Sequence, residues 1–108
     1  MLNLKSYAEL IEAELTNIQL PNSPIALYDP ITYFLKIGGK RIRPILTLLA
    51  ADLFSLEKSK VIPQALAIEI FHNFTLIHDD IMDLAPLRRN QQTVHEKWDN
   101  NVAILTGD

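Results

Sequence analysis

Cysteine is absent from the 108 residues, which excludes disulfides and thiolate metal sites and leaves the redox compartment open. Basic residues are not in surplus: 10 Lys and Arg face 13 Asp and Glu, for a net charge of -3. That balance argues against general affinity for nucleic acid or anionic lipid, so any anion site must be local. No apolar run approaches the length of a membrane span, and the opening MLNLKSYAELIEAEL meets charge too soon to form a signal core. Cytoplasm is therefore the expected compartment. Alternating β patterns, internal repeats and low-complexity segments are also missing, which leaves the all-α class. What remains, 48% hydrophobic and 21% charged, is the composition of an ordinary globular protein with at most one domain.

Leu4, Tyr7, Ala8, Ile11, Leu15 and Ile18 recur at spacings of three and four, the stripe of a surface helix that Pro21 and Pro24 end. Asp29 before Pro30 predicts an N-cap and first helical residue, and Gly38-Gly39 closes that short helix. A third helix is expected from about Pro44 through ILTLLAADLF; being apolar almost all round, it belongs inside a bundle. A longer one follows from about Ser59 to Leu84, with Pro86 as its stop. It is also mostly apolar, so its polar residues Glu69, His72, Asn73 and Thr75 need partners within the protein. Asp99-Asn100-Asn101 caps a last run, VAILTG, that ends without a closing signal. The expectation is a fragment, residues 1–108, that stops inside a helix.

Two charged clusters carry the chemistry. In HDDIMD, Asp79 and Asp83 lie one helical turn apart and Asp80 about 60° to one side of Asp83, so three carboxylates converge at the carboxyl end of a helix. Mutual repulsion and the macrodipole both oppose this arrangement. A divalent cation removes both penalties, and an all-oxygen ligand set suits Mg²⁺. The alternative, a solvated acidic helix end, is weakened by the apolar helix that precedes it. In LKIGGKRIRP, Lys40, Arg41 and Arg43 stand at a helix start, where cations are unfavourable until an anion such as phosphate joins the unpaired amides. Arg88 and Arg89, just past the aspartates, are ordinary surface charges if alone; beside a metal-binding cluster they suit phosphate oxygens. His72 lies two turns before Asp79 on nearly the same face and reads either as a core residue or as a ligand. Phe71 and Phe74 read equally as core aromatics.

With GGKRIRP, His72, LIHDDIMD and the Arg88-Arg89 pair in this order, the sequence resembles the isoprenyl diphosphate synthase family, the trans-prenyltransferases. The resemblance covers essentially the whole chain. It implies the N-terminal part of an all-helical bundle around a central cavity, usually a homodimer, condensing an allylic diphosphate with isopentenyl diphosphate. By resemblance, Asp79 and Asp83 are Mg²⁺ ligands, Asp80 a supporting acid and Arg88 an allylic diphosphate ligand. Lys40, Arg43, His72 and Arg89 resemble the second diphosphate site, and Arg41 is counted with them as substrate-binding from its place in the basic turn. Phe74, five residues before Asp79, would form the floor under a growing chain, with Phe71 near it; a farnesyl or geranylgeranyl product is expected. The family carries a second aspartate-rich motif far downstream, which these residues lack, so the fragment alone is expected to be inactive. A terpene cyclase needs no second diphosphate site, and a non-catalytic subunit of a synthase could lose its aspartates; both are weaker alternatives.

Overall fold

The computed structural model describes residues 4–108. It is helical throughout apart from one small hairpin, with α1 (Leu4–Thr16), α2 (Ile25–Ile37), α3 (Ile42–Leu53), a 3-10 turn (Lys58–Lys60), α4 (Ile62–Met82), β1 (Leu87–Arg88), β2 (Gln91–Gln92), α5 (Val94–Lys97) and α6 (Asn100–Gly107). The chain divides into two compact units: residues 4–18 with 39–71, and residues 19–38 with 72–108. Helix α4 contributes its first half to one and its second half to the other.

In the first unit, α1 buries Tyr7, Ile11 and Leu15, the four-residue spacing of its apolar stripe, against Leu48 of α3 and Ala65 of α4. Leu4, counted in that stripe from sequence, is exposed. The Tyr7 hydroxyl donates to the Asp52 carboxylate, and Lys58 Nζ stands 3.4 Å from the same carboxylate and over the Tyr7 ring. Helix α3 departs from the expectation of burial on all sides. Pro44, Leu48 and Ala51 are buried, whereas Ile42, Leu46 and Leu53 are exposed, because the core formed with α1 and α4 covers one stripe of the helix.

The second unit packs Phe34 of α2, Ile77 of α4, Val94 of α5 and Ala103 of α6. Tyr33 meets Trp98 edge-on at 5.3 Å, and its hydroxyl donates to the Gln92 carbonyl at 2.7 Å. Helix α2 does not start at Asp29-Pro30. Pro24, in extended conformation, is its N-cap and its carbonyl accepts the amides of Leu27 and Tyr28. Pro30 is therefore inside the helix and buried, the sixth residue after the cap, where its missing N–H forfeits the bond to the Ala26 carbonyl. Gly38 closes α2 as expected: its φ of 84° and ψ of -169° form a conformation essentially restricted to glycine. Asp99 caps α6 as expected, accepting from the Val102 amide at 2.7 Å.

Candidate functional site

The two clusters fall in different units. The basic one belongs to the first unit, in the turn that enters α3. Arg41 occupies the N-cap with φ of 55°, a left-handed conformation uncommon for a side-chain-bearing residue, and no side chain caps that helix end. The bend turns Arg41 inward while Lys40 and Arg43 are exposed. The Arg41 side chain is 2% exposed; Nε donates to Glu12 Oε1 and Nη1 to Glu69 Oε2, each at 2.6 Å. Burial pulls its pKa down, and the hydrogen bonds and charges of Glu12 and Glu69 more than reverse this, leaving it raised. Arg41 therefore departs from its expected place beside Lys40 and Arg43 in a diphosphate site. Its fork is occupied by two carboxylates of its own unit, which buried guanidinium requires.

The acidic cluster forms the carboxyl end of α4. That end is a Schellman motif, with the Ala85 amide on the Asp80 carbonyl at 3.0 Å, the Leu84 amide on the Ile81 carbonyl at 3.2 Å, and Leu84 at φ of 54°. The Asp83 amide donates to the Asp79 carbonyl at 2.8 Å, so the helical turn joining these two acids is intact. Asp79 and Asp83 are exposed; Asp80 is buried. The expected convergence of three carboxylates is thus two plus one. Asp80 faces Arg88, whose Nε and Nη2 donate to its two oxygens at 2.8 Å each. This bidentate bond chiefly, against desolvation and with the charges of Asp80, Asp79 and Asp83, raises the pKa of Arg88.

The return of Arg88 depends on a hairpin that the sequence reading treats as loop. Leu87 pairs with Gln92 and Arg88 with Gln91, across a two-residue turn with positive φ at Arg89 (50°) and Asn90 (65°). Positive φ at both central residues is the type I′ signature. It separates the neighbouring arginines: Arg88 is half-buried on Asp80 and Arg89 is exposed at the tip. Thr93 anchors the hairpin base, its hydroxyl donating to the Ala85 carbonyl at 2.8 Å and its amide to the Pro86 carbonyl at 3.1 Å.

His72 is half-buried on α4, two turns before Asp79. Phe71 is 65% exposed, whereas Phe74 is half-buried with its ring edge-on to His78 at 4.9 Å. Of the partners that sequence reasoning missed, Glu69 carried a signal, a carboxylate on an apolar helix. Glu12 carried none, being one of several glutamates on α1.

Among the described residues no three His, Asp or Glu side chains gather as a metal-binding group. The donor set that remains outward, Asp79 and Asp83, is two carboxylates one turn apart. This fits Mg²⁺, which takes one or two protein carboxylates and fills its shell with water and phosphate oxygens. No helix among the described residues is long and apolar enough to cross a membrane.

Comparison with known proteins gives these features a setting. A family model described as polyprenyl synthetase matches residues 24–108. The geranylgeranyl pyrophosphate synthase of Geoglobus acetivorans is 43% identical over 105 residues, which are 97% of this chain and 33% of that protein. The geranylgeranyl diphosphate synthase of Methanosarcina mazei is 41% identical over 105 residues, covering 97% of this chain and 32% of that one. A crystal structure of a geranylgeranyl pyrophosphate synthase superposes with a TM-score of 0.95 at 50% identity, over 100% of this chain and 33% of its own. The chain spans about a third of the length of the curated relatives it matches. Its helices take up the all-α isoprenoid synthase fold, and the chain belongs to the polyprenyl synthetase family.

Proposed function

We propose that the chain carries the first aspartate-rich motif and a diphosphate-binding turn of a prenyltransferase that joins an allylic diphosphate to isopentenyl diphosphate. The observation that carries this reading is the sorting of each charged cluster: the middle member is buried in an ion pair and the outer two are exposed. Asp79 and Asp83 would hold Mg²⁺, which supplies positive charge to the allylic diphosphate as its carbon–oxygen bond breaks. Arg88 spends Nε and Nη2 on Asp80, which leaves the Nη1 amino group to donate to a diphosphate oxygen from a fixed position. Arg89, Lys40, Arg43 and His72 would bind the isopentenyl diphosphate, Lys40 and Arg43 beside the uncapped amides of α3. Cations fixed before the reaction stabilise the departing diphosphate most in the transition state, where its charge develops. The double bond of isopentenyl diphosphate then attacks the allylic cation and a proton is lost.

Phe74 stands about 7.5 Å down α4 from Asp79 and would be the floor that limits product length. The relatives named geranylgeranyl synthases support the longer of the two products expected from sequence. A homodimer is proposed for the working form. The 108 residues by themselves should give no turnover, and detectable product from them would refute that.

The test uses the intact protein with Mg²⁺, radiolabelled isopentenyl diphosphate and an allylic diphosphate, followed by extraction of prenyl product. Asp79→Asn or Asp83→Asn should lower turnover by about two orders of magnitude or more, as loss of one preorganised electrostatic element does. Product formation that ignores isopentenyl diphosphate, or that survives both substitutions, would overturn the proposal.

A further inference from the structure

The support of Phe74 is built from parts with no place in diphosphate chemistry. Its ring lies edge-on to the imidazole of His78, with centroids 4.9 Å apart and planes at 78°. That imidazole is itself held, because Nε2 is 3.0 Å from the Ile104 carbonyl oxygen in α6. A carbonyl can only accept, so Nε2 carries the proton in this contact. Gly107 supplies the space: a Cβ there would lie 2.3 Å from His78 Nε2 and 2.5 Å from Cδ2. The chain thus leaves side-chain volume out at 107 and fills it with a histidine from α4.

We infer that His78 is a specificity-positioning residue: seated against Ile104 and Gly107 of α6, it fixes the plane of the Phe74 ring and so the depth available to the growing prenyl chain. The inference rests on the reading of Phe74 as the floor. The second side-chain torsion of phenylalanine is broad, and a ring without an edge contact can tilt. An edge-to-face neighbour selects one orientation. Here the neighbour is one turn away on the same helix and cannot withdraw without giving up its hydrogen bond to α6. His78 also lies directly before Asp79, so the residue that orients the floor and the residue that would hold the metal are neighbours on α4.

The experiment compares product length, rather than rate, in the intact protein and in Phe74→Ala, His78→Ala, Gly107→Ala and the double variant His78→Ala with Phe74→Ala. Phe74→Ala lengthens the product if the floor reading holds. His78→Ala should raise the ratio of longer to shorter product several-fold with Phe74 still in place. Gly107→Ala, which keeps both rings and denies His78 its seat, should shift the ratio the same way. The double variant should match Phe74→Ala alone, because His78 acts through that ring. An unchanged ratio in both His78→Ala and Gly107→Ala, with Phe74→Ala lengthening the product, would overturn the inference and leave the floor reading standing. Further lengthening by His78→Ala in the absence of Phe74 would overturn it too, since His78 would then line the cavity itself. No lengthening by Phe74→Ala would remove the floor reading and this inference with it.

Discussion

Arg41→Met keeps much of the arginine stem and deletes the guanidinium, so it isolates the two ion pairs at the start of α3. The Glu12 side chain is 48% exposed, and an exposed pair of that kind contributes about 0.2–1 kcal/mol. Glu69 is different: its side chain is 4% exposed and bonds at 2.6 Å to a guanidinium that is 2% exposed. Removing one partner of a buried pair costs about 3–5 kcal/mol, because the other charge stays in a poorly solvating place. Arg41→Met should therefore destabilise by about 3–5 kcal/mol, and Glu12→Gln by less than about 1 kcal/mol. Urea unfolding of the intact protein measures both, read from the midpoint at unchanged slope.

A second substitution separates desolvation from lost packing. Adding Glu69→Leu to Arg41→Met removes the stranded carboxylate, and replacing a whole buried pair by apolar groups is often neutral or stabilising. Most of the loss should return. The raised pKa of Arg41 sets the pH behaviour. A group whose pKa is raised on folding contributes fully below its unfolded value and less only as the pH rises beyond it. The deficit of Arg41→Met should therefore be equal at neutral and mildly alkaline pH. A loss within about 1 kcal/mol of the exposed-pair value, or no recovery on adding Glu69→Leu, would refute the reasoning.

Asp80→Asn should destabilise by about 1–3 kcal/mol, as loss of hydrogen bonds to a charged group does, and should raise KM for the allylic diphosphate by freeing Arg88 to move; thermal unfolding and steady-state kinetics check the two parts. Asp99→Ala removes the cap of α6 and should cost about 1 kcal/mol, visible as a lowered Tm. Chelation of divalent cations should abolish turnover of the intact protein and leave its far-ultraviolet circular dichroism unchanged, since the helices close their own hydrogen bonds without metal.

The parts of the fold legible in the sequence are those whose signals are local and unrivalled. The stripe of α1, the glycine that closes α2 and the aspartate cap of α6 each follow from a single spacing or a single conformational demand. The start of α2 is ambiguous in the sequence because Pro24 and Asp29-Pro30 both resemble helix starts, and the structure resolves it at the upstream proline, which receives the first amides. The hairpin at residues 87–92 is silent in the sequence because its turn is Arg-Asn rather than a glycine-bearing pair, and two-residue strands carry no alternation. In the site, residue types were legible and partners were not. Whether Arg88 reaches Asp80 depends on the left-handed Leu84, the Thr93 anchor and the turn at Arg89-Asn90, none of which leaves a trace in charge spacing. Likewise Glu69 announced a need for a partner, and only the left-handed Arg41 identifies it.

The pairings explain how the chain carries three like charges in each short stretch. Two unit charges about 4 Å apart repel by ~1 kcal/mol in water and by ~4 kcal/mol at the effective dielectric of a protein surface, so three crowded together would strain a helix end. Burying the middle charge against an opposite one changes the problem at both clusters. Arg41 goes to Glu12 and Glu69, and Asp80 goes to Arg88. Each cluster keeps an outward pair, Lys40 with Arg43 and Asp79 with Asp83, whose remaining repulsion an ion of opposite sign would relieve. The buried side chain is in each case tied down where the backbone turns, Arg41 at the left-handed residue that enters α3 and Asp80 at the end of α4 where its carbonyl takes the Ala85 amide. Neutralising the buried member should therefore disturb ligand binding through geometry, whereas neutralising an outer member should disturb it through charge, and only the second effect should weaken as salt is added.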